Sequence, residues 1–107
     1  MENSENTQFD DKQIPKLKEF LTKLLEVGGS DLHLKALGKV CGRIQGEMSI
    51  LDNTVMSRND MMELAREMLR GRFNEFVQNK EIDLTFRLSD EYRFRVNMFF
   101  QKDGVGM

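Results

Sequence analysis

Apolar and polar residues change their spacing several times along the chain, and each change marks an element. From Ile14, apolar positions fall at Ile14, Leu17, Phe20, Leu21, Leu24 and Leu25, with lysines and glutamates between them. That spacing predicts an amphipathic helix, with Pro15 in its first turn and the Gly28–Gly29 pair to stop it. "SDLHLKAL" then sets Leu32 and Leu34 against Asp31, His33 and Lys35, a short strand with one wet face. "KVCGRIQG" and "EMSILD" are two further strands with a tight turn at Gly46, and Gly42 marks a bulge or a close backbone approach. Ser57 with Asp60 three residues on forms a capping-box pattern, although Asp stands where Glu or Gln is usual. Met61, Met62, Leu64, Ala65, Met68 and Leu69 make a helical apolar face ending at Gly71, and a shorter helix carries Phe73, Phe76 and Val77.

Two strands follow. "EIDLTFRLSD" puts Ile82, Leu84, Phe86 and Leu88 inward and Asp83, Thr85 and Arg87 outward. "SDE" at 89–91 turns the chain, as a hairpin, into "YRFRVNMFFQ". There Tyr92, Phe94, Val96, Met98 and Phe100 form a core face, opposite Arg93, Arg95, Asn97, Phe99 and Gln101. The order is helix, three strands, two helices, two strands. It predicts an α+β domain: an antiparallel sheet of about five strands with helices packed on one side. Residues 1–12 are polar and unpatterned and read as a disordered leader, so the domain is expected over 13–107.

Composition narrows the function classes. A chain of 107 residues is one domain or a piece of one. Its net charge of −2 argues against a general nucleic-acid binder, and its apolar runs are far shorter than the roughly 20 residues that span a bilayer. One cysteine excludes an internal disulfide and, with no secretory signal in "MENSENTQFDD", makes the cytoplasm the expected compartment. No phosphate loop, H-E-x-x-H or C-x-x-C is present, and one His with one Cys cannot form a metal cluster. The chain stops at "QKDGVGM", just after its most strand-like segment, as expected of a piece of a larger protein. "KDGVG" itself reads as a turn.

The candidate chemistry is the pair Arg93 and Arg95. One reading is an exposed face whose charges pair with Asp83 or Glu81 across the hairpin, worth at most about 1 kcal/mol each. The other is recognition of a phosphate, which a planar, permanently charged guanidinium meets with two parallel hydrogen bonds. His33 beside Asp31 has no visible nucleophilic partner and reads as structural. Cys41 reads as a small apolar residue, with Arg43 on the same strand face as a weak pointer to reactivity. Met61, Met62 and Met68 read as core rather than as an adaptable groove.

Three segments in order carry a resemblance: "GGSDLHL", "R-I-x-G" at Arg43 to Gly46, and "EIDLTFRLSDEYRFRVNMFFQ". Together, over about residues 14 to 107, they resemble the N-terminal domain of the hexameric type IV pilus retraction ATPases that drive twitching motility, the PilT/PilU type of secretion motor ATPase. The resemblance implies a PAS-like domain that precedes a RecA-like core holding ATP and Mg2+. Each N-terminal domain would pack on a neighbour's core in a homohexamer, cytoplasmic and docked at the inner membrane through a platform protein. Hydrolysis at those junctions would drive pilus disassembly.

The resemblance also implies that Arg95, the arginine of R-V-N, reaches ATP phosphate in trans. Arg93 would be near it, and Asn97, Phe99 and Gln101 would lie at the interface. The fragment alone would hold no catalytic residue, cofactor or metal, and Ser30 or Asp31 would tie down a turn. The sequence departs from the pattern at Lys39 and Val40, where members often carry Pro-Pro, and a further family arginine would fall past Met107. Other function classes are a free-standing PAS-like small-molecule sensor, needing a cavity among Phe76, Phe86 and Phe94, and a protein–protein adaptor anchored by Phe99.

Overall fold

A computed structural model describes residues 11–107. In chain order the elements are α1 (Ile14–Glu26), β1 (Gly29–His33), β2 (Lys39–Ile44), β3 (Glu47–Val55), α2 (Arg58–Leu69), a 3₁₀ turn (Arg70–Arg72), α3 (Phe73–Asn79), β4 (Glu81–Arg87), β5 (Arg93–Gln101) and β6 (Gly104–Gly106). Residues 1–10 of the expected leader at 1–12 lie outside the described residues.

The strands form two three-stranded antiparallel sheets, β1-β2-β3 and β4-β5-β6, and not one sheet of five. The difference comes from β6, in the segment expected to be a turn. Two glycines in three residues leave no periodicity to read, and its strand geometry is imposed by two neighbours. On one side β6 pairs with Phe99–Gln101. On the other, Leu34 and Met107 exchange both backbone hydrogen bonds at 2.8 Å, and the Ala36 N–H donates to the Val105 carbonyl at 3.1 Å. Those bonds stitch the two sheets together.

Local chemistry explains the rest. Gln45 (φ 52°) and Gly46 (φ 82°) both take positive φ, the two-residue turn whose twist suits the β2–β3 hairpin. Gly42 is a close approach: a Cβ there would lie 2.7 Å from Leu24 Cδ1, and the register irregularities fall just before it, at Lys39–Cys41. The Ser57–Asp60 capping box is present in both directions, at 2.9 and 3.3 Å, because the Asp carboxylate reaches back far enough to replace Glu. The start of α1 is capped from afar: the Gln13 and Ile14 N–H groups donate to Glu67 Oε1 of α2 at 2.8 and 2.9 Å. That carboxylate satisfies donors the helix cannot and meets the positive end of its dipole.

One core joins all elements. Leu17, Phe20, Leu21 and Leu24 of α1 meet Met61, Leu64, Ala65 and Leu69 of α2 and Phe76 of α3, over Val40, Leu51, Ile82, Met98 and Val105 of the strands. Met61 is fully buried and Met62 and Met68 pack at the core margin, in keeping with the core reading. Two inward assignments fail. Tyr92 is 46% exposed because it belongs to the turn before β5, and Val77 is exposed because the short α3 buries Phe76 alone.

Candidate functional site

The strand β5 alternates as its sequence predicts. Arg93, Arg95 and Asn97 are exposed, Met98 is buried, and Phe94 and Val96 are half-buried. Its register against β4 places Arg95 opposite Thr85, Arg93 opposite Arg87, and Asn97 opposite Asp83.

This register settles where the hairpin's carboxylates go. Asn97 Nδ2 donates to Glu81 Oε2 at 2.8 Å and to Asp83 Oδ1 at 3.0 Å, so the amide holds both acids. Arg87 turns to Asp90 in the hairpin turn. Among the described residues, neither Arg93 nor Arg95 makes an ion pair or a side-chain hydrogen bond. The cross-hairpin pairing with Asp83 or Glu81 is therefore absent. Two like charges, Arg87 and Arg93, stand directly opposite each other, an arrangement that costs stability.

Phe99 is half-buried rather than free, because its ring lies over Gly106, where an added Cβ would come within 2.8 Å of it. Gln101 is exposed at the far end of the strand. Arg93, Arg95, Asn97 and Phe99 share a groove of about 640 Å³ with Ser30, Asp31 and His33 of β1, over a floor that includes Leu17, Leu21 and Met68. Phe86 and Phe94 also line it, whereas Phe76 is stacked on Phe100 at 4.4 Å inside the core. The three phenylalanines thus do not enclose one cavity.

Two of the sequence segments meet in space. Ser30 Oγ donates to Asp31 Oδ2 at 2.7 Å, Asp31 pairs across the strands with Arg43 at 3.4 Å, and Arg43 Nη1 donates to the Gly46 carbonyl at 3.2 Å. The serine and aspartate of "SDLHL" and the arginine and glycine of "R-I-x-G" form one chain of contacts that locks the β1–β2 edge to the β2–β3 turn. His33 is exposed beside it, opposite Cys41, whose thiol donates to the Lys39 carbonyl at 3.6 Å. Arg43 is engaged with Asp31, which removes the electropositive setting considered for Cys41. Among the described residues no cluster of three His, Cys, Asp or Glu side chains could hold a metal ion, and no helix is long and apolar enough to cross a membrane.

No protein-family model matches the chain, and no curated protein matches it. Solved structures do. The pilus retraction motor PilT, crystallised with ADP, superposes with a TM-score of 0.70 at 26% identity, over 83% of this chain and 26% of that one. The ATPase DotB of Legionella pneumophila gives 0.75 at 16% identity over 91% of this chain and 28% of that one. DotB of Yersinia pseudotuberculosis gives 0.69 at 14% identity over 89% of this chain and 29% of that one. The chain spans between a quarter and a third of these proteins. The resemblance read from the three segments holds in three dimensions: most of this chain is built like one domain of a pilus-motor or DotB ATPase.

Proposed function

We propose that this chain is the assembly and regulatory domain of a ring-forming pilus motor ATPase that uses ATP and Mg2+ in its cores. In it, β5 packs on a neighbouring core and carries Arg95 to the phosphates of the nucleotide bound there. The observation that carries the reading is the pair of exposed guanidiniums that meet no carboxylate among the described residues, while an amide holds both nearby acids. A strand that holds two guanidiniums on one exposed face, one of them directly opposite Arg87, has an anion as its natural partner. Arg93 sits two residues along on the same face, and Asn97 and Gln101 continue the interface toward β6. Similarity to a pilus retraction motor crystallised with ADP supports nucleotide as that anion.

An arginine supplied across a junction neutralises charge that develops on the transferring phosphoryl group and contributes about 10³-fold or more in turnover. In this role Arg95 acts on a neighbour's site, and the domain alone hydrolyses nothing. Retraction of pili, docking on an inner-membrane platform and a cytoplasmic site follow from the same reading. The test is Arg95→Ala in the full-length protein. ATPase turnover should fall about 10³-fold while thermal unfolding of the domain stays unchanged; undiminished turnover sinks the reading.

A further inference from the structure

The outer face of the β4–β5 hairpin is a ladder of four rows. From base to tip the register sets Glu81 against Phe99, Asp83 against Asn97, Thr85 against Arg95 and Arg87 against Arg93. Both acids of β4 thus stand at the base, and the cations gather toward the tip. Asp83 is the diagonal neighbour of Arg95, one row away on the other strand, a spacing that a long guanidinium side chain bridges. An Asp83–Arg95 ion pair is the pairing this ladder would form by default. Among the described residues that pair is absent.

Asn97 accounts for the absence. Its Nδ2 carries two protons that diverge in the amide plane, and each meets one carboxylate, Glu81 Oε2 at 2.8 Å and Asp83 Oδ1 at 3.0 Å. Two acceptors are all that such a group can serve, and two acids are what β4 holds. Both bonds end on a charged acceptor, which strengthens them. Making them freezes two side-chain torsions of Asn97, whereas an ion pair to Arg95 would freeze four. The amide therefore takes the acids in preference to the guanidinium. Few side chains could replace it: a serine offers one proton, an aspartate none, and a lysine would add a further cation. At the tip Arg87 holds Asp90, so the two rows that carry Arg93 and Arg95 keep no carboxylate of β4 or of that pair.

We propose that Asn97 is a positioning residue for the anion site: it withholds Glu81 and Asp83 from Arg95, so that the guanidinium stays free for an incoming phosphate. The inference rests on the reading of Arg95 as nucleotide-facing. In this role Asn97 touches no phosphate and acts only through the two acids.

Substitution with and without the acids tests this in the full-length protein. Asn97→Ala should lower kcat for ATP about fivefold and leave KM nearly unchanged, because part of the Arg95 population is drawn to Asp83. Adding Glu81→Gln and Asp83→Asn to Asn97→Ala should bring kcat back near the parent value, a recovery that a merely structural asparagine would not show. A second readout needs no turnover. In the 107-residue chain, the NMR signal of the Arg95 Nε–H should shift and exchange with water several-fold more slowly in Asn97→Ala, and both changes should vanish in the triple variant. Undiminished kcat in Asn97→Ala where Arg95→Ala is impaired, a triple variant as slow as Asn97→Ala, or an Arg95 signal indifferent to loss of the amide each overturns the proposal. Should Arg95→Ala leave turnover intact, the nucleotide reading fails by itself, and the Nε–H signal still decides whether Asn97 holds the acids away from the guanidinium.

Discussion

In the β1–β3 sheet, charge is matched within the chain: Asp31 lies opposite Arg43 and Lys23 of α1 holds Asp52 of β3 at 3.1 Å. In the β4–β6 sheet, Glu81 and Asp83 are held by a neutral amide, while Arg95, opposite Thr85, and Arg93, opposite Arg87, keep their charge open to solvent. Both sheets are antiparallel, three-stranded and packed on the same core, so the contrast is not one of architecture. It separates charges paired within the fold from charges that the fold leaves open to solvent. An ion pair contributes to folding only if both members are present, so a cation that faces solvent contributes nothing through pairing.

That contrast predicts a crossed pattern. The largest effect is expected from Arg95→Ala, about 10³-fold in turnover of the full-length protein with no change in melting temperature. A matching loss of stability would place Arg95 with the structural charges and erase the distinction. Next, Gly42→Val forces side-chain bulk against the fully buried Leu24 and the Asp31 carbonyl, and should destabilise the domain by about 1–3 kcal/mol in urea unfolding. A third substitution, Asn97→Ala, releases Glu81 and Asp83. Either acid can then pair with Arg95, and competition worth about 1 kcal/mol should lower turnover roughly fivefold, well short of Arg95→Ala.

Arg43→Ala should do the reverse of Arg95→Ala. It should cost at most about 1 kcal/mol of stability, shrinking with added salt, and leave turnover intact. The smallest effect concerns Asp52. Its carboxyl is held down from an ordinary 3.8 to about 2, first by the Thr54 hydroxyl and N–H and then by Lys23. A folded-state value below the unfolded one means the stabilisation is complete above 3.8 and is lost as pH falls through about 2. The melting temperature of Asp52→Asn should thus lie slightly below the parent's at pH 6, with the gap closing by pH 2.

Much of the fold was legible because its signals are local. The face of α1, the Ser57–Asp60 box, the turn at Gly46 and the alternation of β4 and β5 rest on residues within a few positions of each other. The site was half legible. Alternation alone exposed Arg93 and Arg95, but the residue that takes their expected partners is Asn97. That followed only from the register, which sets Asn97 directly against Asp83 and beside Glu81. An amide two positions along the same face was the one available signal.

By itself the sequence determined where the three helices and the strands β1 to β5 lie, most of their apolar sides, and that two guanidiniums share a polar strand face, because periodicity and side-chain chemistry are properties of the chain. Only the tertiary structure decided that β6 is a strand, that the sheet is split in two, that Glu67 caps a helix 53 residues away, and that a groove runs past Arg95. Each of these depends on backbone donors and acceptors finding partners across long separations. Such pairing is set by how the elements pack, and no local run of residues encodes it.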